Sequence, residues 1–266
     1  MKAWQGCIEP PIPGRREKPR TTGITMILDK GLGIYATEDL VETAAAYVDF
    51  VKFSFGTSAF YNKDVCIEKT EILTEAGIYV MPGGTFLEVA IWKKKYDDYL
   101  KQSKELGFNA IEVSDGTIEI NKEARADAIK KAVDAGFCVL TEVGKKDPAE
   151  EIPVSAMHEI IASDLKNGAF KVIVEAREAG KGVGIFDKDG KVKEDEVDEI
   201  LAGVGNPEDL LWEAPIKNQQ EFLILKLGIN VSLGNIPPGD ILALEALRQG
   251  LRGDTLKKAY KGGIVK

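Results

Sequence analysis

Residues 121–146 read NKEARADAIKKAVDAGFCVLTEVGKK, and the two halves of this stretch follow different rules. The first half has the grammar of a helix: Asn121 can cap it, acidic residues come early and lysines late, and Gly136 provides the stop. The second half, Phe137 to Lys146, is a short apolar, β-branched run that ends in glycine and charge. Working outward, the same theme recurs. Similar runs lie at 23–31, 48–56, 77–84 and 109–116 before it, and at 171–180, 210–216 and 229–236 after it, giving eight strand candidates. The segments between them read as helices: TEDLVETAAAYV (37–48) with Thr37 as the expected cap, KKYDDYLKQSKELG (94–107) and DEVDEILAGVG (195–205). The tail, DILALEALRQGLRGDTLKKAY (240–260), is expected to supply the last helix. Strands alternating with helices imply an α/β protein with a parallel sheet and right-handed crossovers. Eight such units in 266 residues favour a single closed (β/α)8 TIM barrel over an open doubly wound sheet. The barrel domain is placed at 21–266. Residues 1–20, with Pro10, Pro11, Pro13 and Pro19, form an N-terminal arm, either a poorly ordered lead-in or a loop over the body.

Composition excludes several classes. Thirty-five Lys and Arg against 43 Asp and Glu leave a charge of −8, and without a long basic run nucleic acid is not the expected partner. The single histidine, His158, rules out zinc sites of the two- or three-histidine type within one chain. It lies in VSAMHEIIASDL, which reads as an amphipathic helix, so a structural role is expected. Cys7, Cys66 and Cys138 are too widely spaced for a metal finger. Cys138 reads as a buried thiol, which fits a reducing cytoplasm. No run approaches the ~20 apolar residues of a membrane span, so a cytoplasmic, soluble protein is expected.

In a barrel of this type, chemistry collects at the C-terminal ends of the strands, and alternation decides which side chains face the axis. Leu140, Glu142, Gly144 and Lys146 share one parity; Val139, Thr141, Val143 and Lys145 share the other. Lys52 shares a parity with Ser54, Glu112 with Ser114, and Glu175 with Arg177. Glu213 sits just before Ala214 and Pro215, and the first strand ends in Asp29 and Lys30. An apolar interior rejects so many charges unless they converge on a polar ligand, an ion or one another. Internal salt bridges are the simpler reading. Carboxylates with lysines and an arginine, but no histidine, suit Mg2+ and an anionic substrate. Arg177 could clamp a carboxylate or phosphate, while Lys52 and Lys146 could act as point charges or proton carriers. The glycine-rich loops EAGKGVG (178–184) and LGNIPPGD (233–240) could bring backbone N–H groups to a phosphate. Gly182 and Gly184 in the first, and Ser232, Gly234 and Asn235 around the second, are the candidate substrate-binding positions.

Taken together, KPRTTGITMILDKGLG (18–33), DFVKFSFGTSAFY (49–61), MPGGTFLEVA (81–90), GFNAIEVSDGTIEI (107–120), VLTEVGKKDP (139–148), EAREAGKGVGIFDKDGKVK (175–193), WEAPIKNQQEFLILKLG (212–228) and LRGDTL (251–256) resemble the phosphosulfolactate synthase family. The resemblance runs from about Arg20 to the tail. It implies a (β/α)8 barrel that uses Mg2+ to add sulfite to phosphoenolpyruvate, giving (2R)-phospho-3-sulfolactate. Such a product feeds coenzyme M synthesis in methanogens and sulfolactate in spore-forming bacteria. The family also suggests a homo-oligomer, with a trimer among the options, and is similar to a plant heat-stress protein. Its TEVGKK lysine falls on Lys145 or Lys146. Parity favours Lys146 as proton donor, with a pKa expected to be lowered by nearby cations or burial. Arg177 and Lys52 are candidates for substrate phosphate, carboxylate or sulfite; Glu142, Glu175, Asp29 and Glu112 are candidate metal ligands. Two other readings of the same residues stand beside this one: a Schiff-base aldolase using the lysine as nucleophile, and a non-catalytic barrel of the heat-stress type.

Overall fold

The computed structural model describes residues 3–4 and 6–263. All eight expected runs are strands: β1 (Thr25–Asp29), β2 (Phe50–Phe53), β3 (Tyr79–Met81), β4 (Ala110–Val113), β5 (Cys138–Val143), β6 (Lys171–Val174), β7 (Leu210–Glu213) and β8 (Leu233–Ile236). Helices follow them: α1 (Ile34–Ala44), α2 (Lys63–Glu75), α3 (Gly84–Trp92), α4 (Tyr96–Glu105), α5 (Lys122–Asp134), α6 (Val154–Lys166), α7 (Glu194–Ala202), α8 (Lys217–Leu227), α9 (Ile241–Arg248) and α10 (Gly253–Tyr260). The strands are covered by helices outside and side chains inside, which is why they read as continuous apolar runs.

Every strand pair is parallel, in the order β3-β2-β1-β8-β7-β6-β5-β4. The protein is thus a single (β/α)8 barrel with one seam, between β3 and β4, that no backbone ladder closes. A side chain bridges it instead. Asn109 Oδ1 accepts from the Val80 backbone amide at 2.7 Å, beside a single backbone bond from Asn109 N–H to Val80 O at 3.3 Å.

Alternation divides the apolar side chains into two layers. Val51, Ile111, Val139, Val172 and Leu210 point outward to the helices. Ile24, Met26, Phe50, Met81, Ala110, Leu140, Ile173 and Leu211 point inward and fill the lower half of the barrel. Removing each large side chain from water contributes roughly 1.5–3 kcal/mol. This floor makes the barrel a packed core and not a pore.

Local signals were read with mixed success. Asn121 caps α5 as expected, its side chain accepting from the Ala124 amide at 2.8 Å. Thr37 does not cap α1: Gly33 is the cap, and the Thr37 hydroxyl lies one turn in, donating to Gly33 O at 2.9 Å. The tail forms two helices, because Gly250 takes a left-handed φ of 78° and breaks the run between α9 and α10. The N-terminal arm lies across the base of the barrel, where Ile12 joins the core and its amide donates to Gln249 O. Among the described residues no helix is long and apolar enough to cross a membrane.

Candidate active site

Above the apolar floor the inward positions change character. Parity brings Leu28, Lys52, Glu112, Glu142, Glu175 and Glu213 toward the axis, where they line a cavity of about 800 Å3 at the C-terminal ends of the strands. The first turn of α3, residues after β2, β4, β5 and β6, and Asn235 within β8 form its rim. Lys52 is the hub, with Nζ 3.0 Å from Glu112 Oε2, 3.1 Å from Glu213 Oε1 and 3.6 Å from Glu142 Oε2. Burial opposes its charge, but Glu112, Glu213 and Glu142 together hold its pKa well above the ordinary lysine range.

Lys146 stands at the rim. Its Nζ is 3.3 Å from Glu142 Oε1, 3.7 Å from Glu175 Oε2 and 3.9 Å from Glu88 Oε1, and it donates to Thr85 Oγ1 at 3.1 Å. Here the sequence reading needs correction. Burial does push this pKa down, but Glu142, Glu175 and Glu112 outweigh it, so the Lys146 pKa is raised rather than lowered. Lys145, on the other parity, turns away from the cavity and donates to Asp115 O at 2.6 Å. Arg177 adopts a left-handed φ of 60°, a conformation met at ligand clamps. Its amide donates to Glu175 Oε1 and its guanidinium to Lys146 O at 3.2 Å, which sets the side chain on the exposed rim.

The carboxylates are not equivalent. Burial would raise Glu142, but Lys146 and Lys52 overcome it and hold it at about 2. Glu175 is raised well above the carboxylate range, first by burial and then by the neighbouring charges of Glu142 and Glu213. Glu112 is pushed up to about 7 by burial, against the pull of Lys52. Oxygens of Glu142, Glu175 and Glu213 lie within 4.8 Å of one another. Glu142 Oε1 and Glu175 Oε2 are buried without a hydrogen-bond donor. Three clustered carboxylates, two of them with such an oxygen, fit a hard cation such as Mg2+.

The other two expected ligands differ in placement. Asp29 is one residue past the inward-facing Leu28 and so points outward. Its Oδ1 accepts from the Gly31 and Leu32 amides at 2.8 Å and its Oδ2 pairs with Lys69, which fixes the loop after β1. Glu112 faces the cavity but is tied down by Lys52 and by the Gly84 amide, 2.9 Å from its Oε1. In the glycine-rich loops most of the candidate positions stand away from the cavity. Gly182 donates its amide to Asp187 O within its own loop. Gly184 packs its Cα against Glu175 O, so neither glycine lines the cavity. Ser232 precedes β8 at the lower end, where its hydroxyl accepts from the Ile24 amide. Gly234 faces the floor, where a Cβ would come within 2.6 Å of Leu211 and 2.7 Å of Met26. Only Asn235 reaches the mouth: a register shift in the β1–β8 ladder and a φ of 54° turn it there, with Oδ1 buried and unpartnered.

Two contributors were under-read in the sequence. Glu213 was visible as a strand-end charge but not placed among the ligands. Its Oε2 accepts from the Ala176 amide at 3.0 Å. Glu88 lies in α3 and carries no strand signal. It is buried and accepts from Ser114 Oγ and from the Thr117 and Ile118 amides at 2.7–2.9 Å, so α3 holds the loop after β4. His158 is remote from the cavity; its Nε2 lies 3.1 Å from Ile200 O at the end of α7.

Fold and site together define a (β/α)8-barrel enzyme with its polar machinery at the strand C-termini. The model of the family described as "(2R)-phospho-3-sulfolactate synthase (ComA)" matches residues 13–254, and the chain belongs to that family. It is 48% identical over 238 residues to "Phosphosulfolactate synthase" of Methanocaldococcus jannaschii, covering 89% of this chain and 94% of that one. It is 45% identical over 249 residues to the protein of the same name from Methanothermobacter thermautotrophicus, covering 92% and 96%. Among solved structures, the YdjI aldolase from Escherichia coli K12 superposes with a TM-score of 0.54 at 13% identity, covering 92% of this chain and 91% of that one. That likeness is one of fold alone.

Proposed function

We propose that the enzyme adds sulfite to phosphoenolpyruvate to give (2R)-phospho-3-sulfolactate, with Mg2+ held by Glu142, Glu175 and Glu213. The carrying observation is the pairing of a buried oxygen cluster with a lysine and an arginine at one cavity mouth. In this reading the sulfite sulfur forms a bond to the methylene carbon, and the electron pair of the double bond moves toward the substrate carboxylate. When bound, Mg2+ supplies positive charge where that carboxylate becomes more negative. Arg177 and Lys181 line the open rim, where they can hold the phosphate and sulfite charges. Lys52 supports the carboxylate cluster from below. Lys146 then gives a proton to the carbon bearing the phosphate, on one face only.

The raised Lys146 pKa suits this step. Lys146 stays protonated at neutral pH, and the electron-rich carbon it meets is a stronger base than a lysine amine. A Schiff-base mechanism would need the neutral amine that Glu142 and Glu175 disfavour. The products support a place in sulfonate metabolism, through either coenzyme M or sulfolactate. Free cysteines and small anionic substrates fit a cytoplasmic enzyme. Exposed Phe60, Val89 and Trp92 offer apolar surface to a homo-oligomer. The test follows phosphoenolpyruvate by 31P NMR with sulfite and Mg2+. A new phosphate-ester resonance that requires both is expected; its absence with folded protein would overturn the reading.

A further inference from the structure

The opposite end of the barrel holds a second polar cluster that this chemistry does not use. Arg15 from the N-terminal arm, Arg20 ahead of β1 and Arg248 at the end of α9 bury their guanidiniums there. Two carboxylates answer them. Arg15 Nε lies 3.0 Å from Glu245 Oε1, and Arg20 Nε lies 3.0 Å from Asp49 Oδ2. Arg248 is fully buried, and its Nη1 donates only to the carbonyls of Ile229 and Val231, at 2.5 and 2.7 Å. Three guanidiniums minus two carboxylates leave one positive charge in excess. Lys18 adds to the excess at the edge of the cluster, where its ammonium donates to Ala45 O and Val48 O.

Hydrogen bonding tells the same story. Among the described residues, Arg15 Nη2, Arg20 Nη2, Arg248 Nε and Arg248 Nη2 are all buried without an acceptor, as is the Thr22 hydroxyl. The arginines form one electrostatic unit: burial first, and then the charges of Arg15 and Arg20, depress the Arg248 pKa. An arginine does not escape such a site by losing its proton, so its charge has to be balanced. Water could accept from some of these donors but brings no negative charge.

We propose that one small monovalent anion of chloride size binds within the Arg15, Arg20 and Arg248 cluster and fastens the N-terminal arm to the barrel base. The unpaired guanidinium N–H groups are its donors, and its charge offsets the excess of three guanidiniums over two carboxylates. The first test is thermal unfolding of the full chain in sodium chloride against sodium gluconate at equal ionic strength. A rise in Tm that grows with the logarithm of chloride concentration, about 5 °C when chloride is a hundredfold above its Kd, is expected. Arg248→Met should abolish that dependence. Since this variant also removes two buried backbone contacts, a second measurement uses the wild-type chain crystallised with bromide. An anomalous peak within hydrogen-bonding distance of the three guanidiniums supports the site. A Tm equal in both salts, or ordered water without bromide in the cluster, would overturn it.

Discussion

Lys52 Nζ and Glu213 Oε1 meet at 3.1 Å across the barrel axis, although the two residues are 161 positions apart. This contact joins β2 to β7 through the interior and sets the charge balance of the upper layer. Removing the lysine leaves Glu112, Glu142 and Glu213 buried beside one another without their shared cation. Lys52→Ala is therefore expected to cost about 3–5 kcal/mol, the range for breaking a buried ion pair. Urea unfolding of the purified variant reads it directly. A loss under about 1 kcal/mol would mean that the carboxylates tolerate their own repulsion.

Lys146 is expected to behave differently, because its side chain is 25% exposed at the rim. Lys146→Ala should lower kcat by about 10²–10⁴-fold, the usual reach of a proton donor, with little change in unfolding midpoint. Lys145→Ala, which loses only the contact to Asp115, should keep most of its turnover. The comparison is a 31P NMR rate for both variants beside far-UV circular dichroism. Equal rates in wild type and Lys146→Ala would move the proton to another group.

The barrel was legible because each strand is buried on both faces and so stands out as an apolar run between amphipathic segments. Parity carried the reading into the site, placing Lys52, Glu112, Glu142 and Glu175 on the axis. It failed where the backbone departs from regular alternation. Asn235 is turned into the mouth by a register shift that composition does not reveal, whereas Asp29 obeys the alternation and points outward, one step past Leu28. Glu88 was hidden for another reason: a buried glutamate on a helix looks like any surface glutamate until its partners are known. The Lys146 pKa was misjudged because its sign depends on how many carboxylates converge on it, and that is a property of tertiary structure.

The raised pKa of Glu175 beside Glu142 makes metal binding pH-dependent. Glu175 holds its proton to higher pH than an ordinary carboxylate, whereas a cation seated beside it needs that proton gone. Mg2+ affinity should therefore increase as pH rises, with proton release on binding. Calorimetry in two buffers of different ionisation enthalpy checks this, since the apparent heats then differ by the released proton. Glu175→Gln should bind Mg2+ more weakly and release no proton. Identical heats in both buffers for the wild type would show that the pair is already ionised.

The β3–β4 seam gives a prediction independent of the chemistry. The Val80 amide is fully buried and donates to Asn109 Oδ1, where a closed barrel would offer a backbone carbonyl. Asn109→Ala strips that acceptor and leaves a buried donor unsatisfied, at a cost of about 1–3 kcal/mol. Asn109→Asp keeps an acceptor oxygen and should keep the Val80 bond, at the expense of a buried charge. The effect should be local, because β2 still pairs with β3 and β5 with β4 through full ladders. Amide hydrogen exchange distinguishes the two variants: in Asn109→Ala the Val80 amide loses protection out of proportion to Val51 on the neighbouring strand. If Val80 and Val51 lose protection together, the seam is not an independent weak line, and Asn109 acts only through global stability.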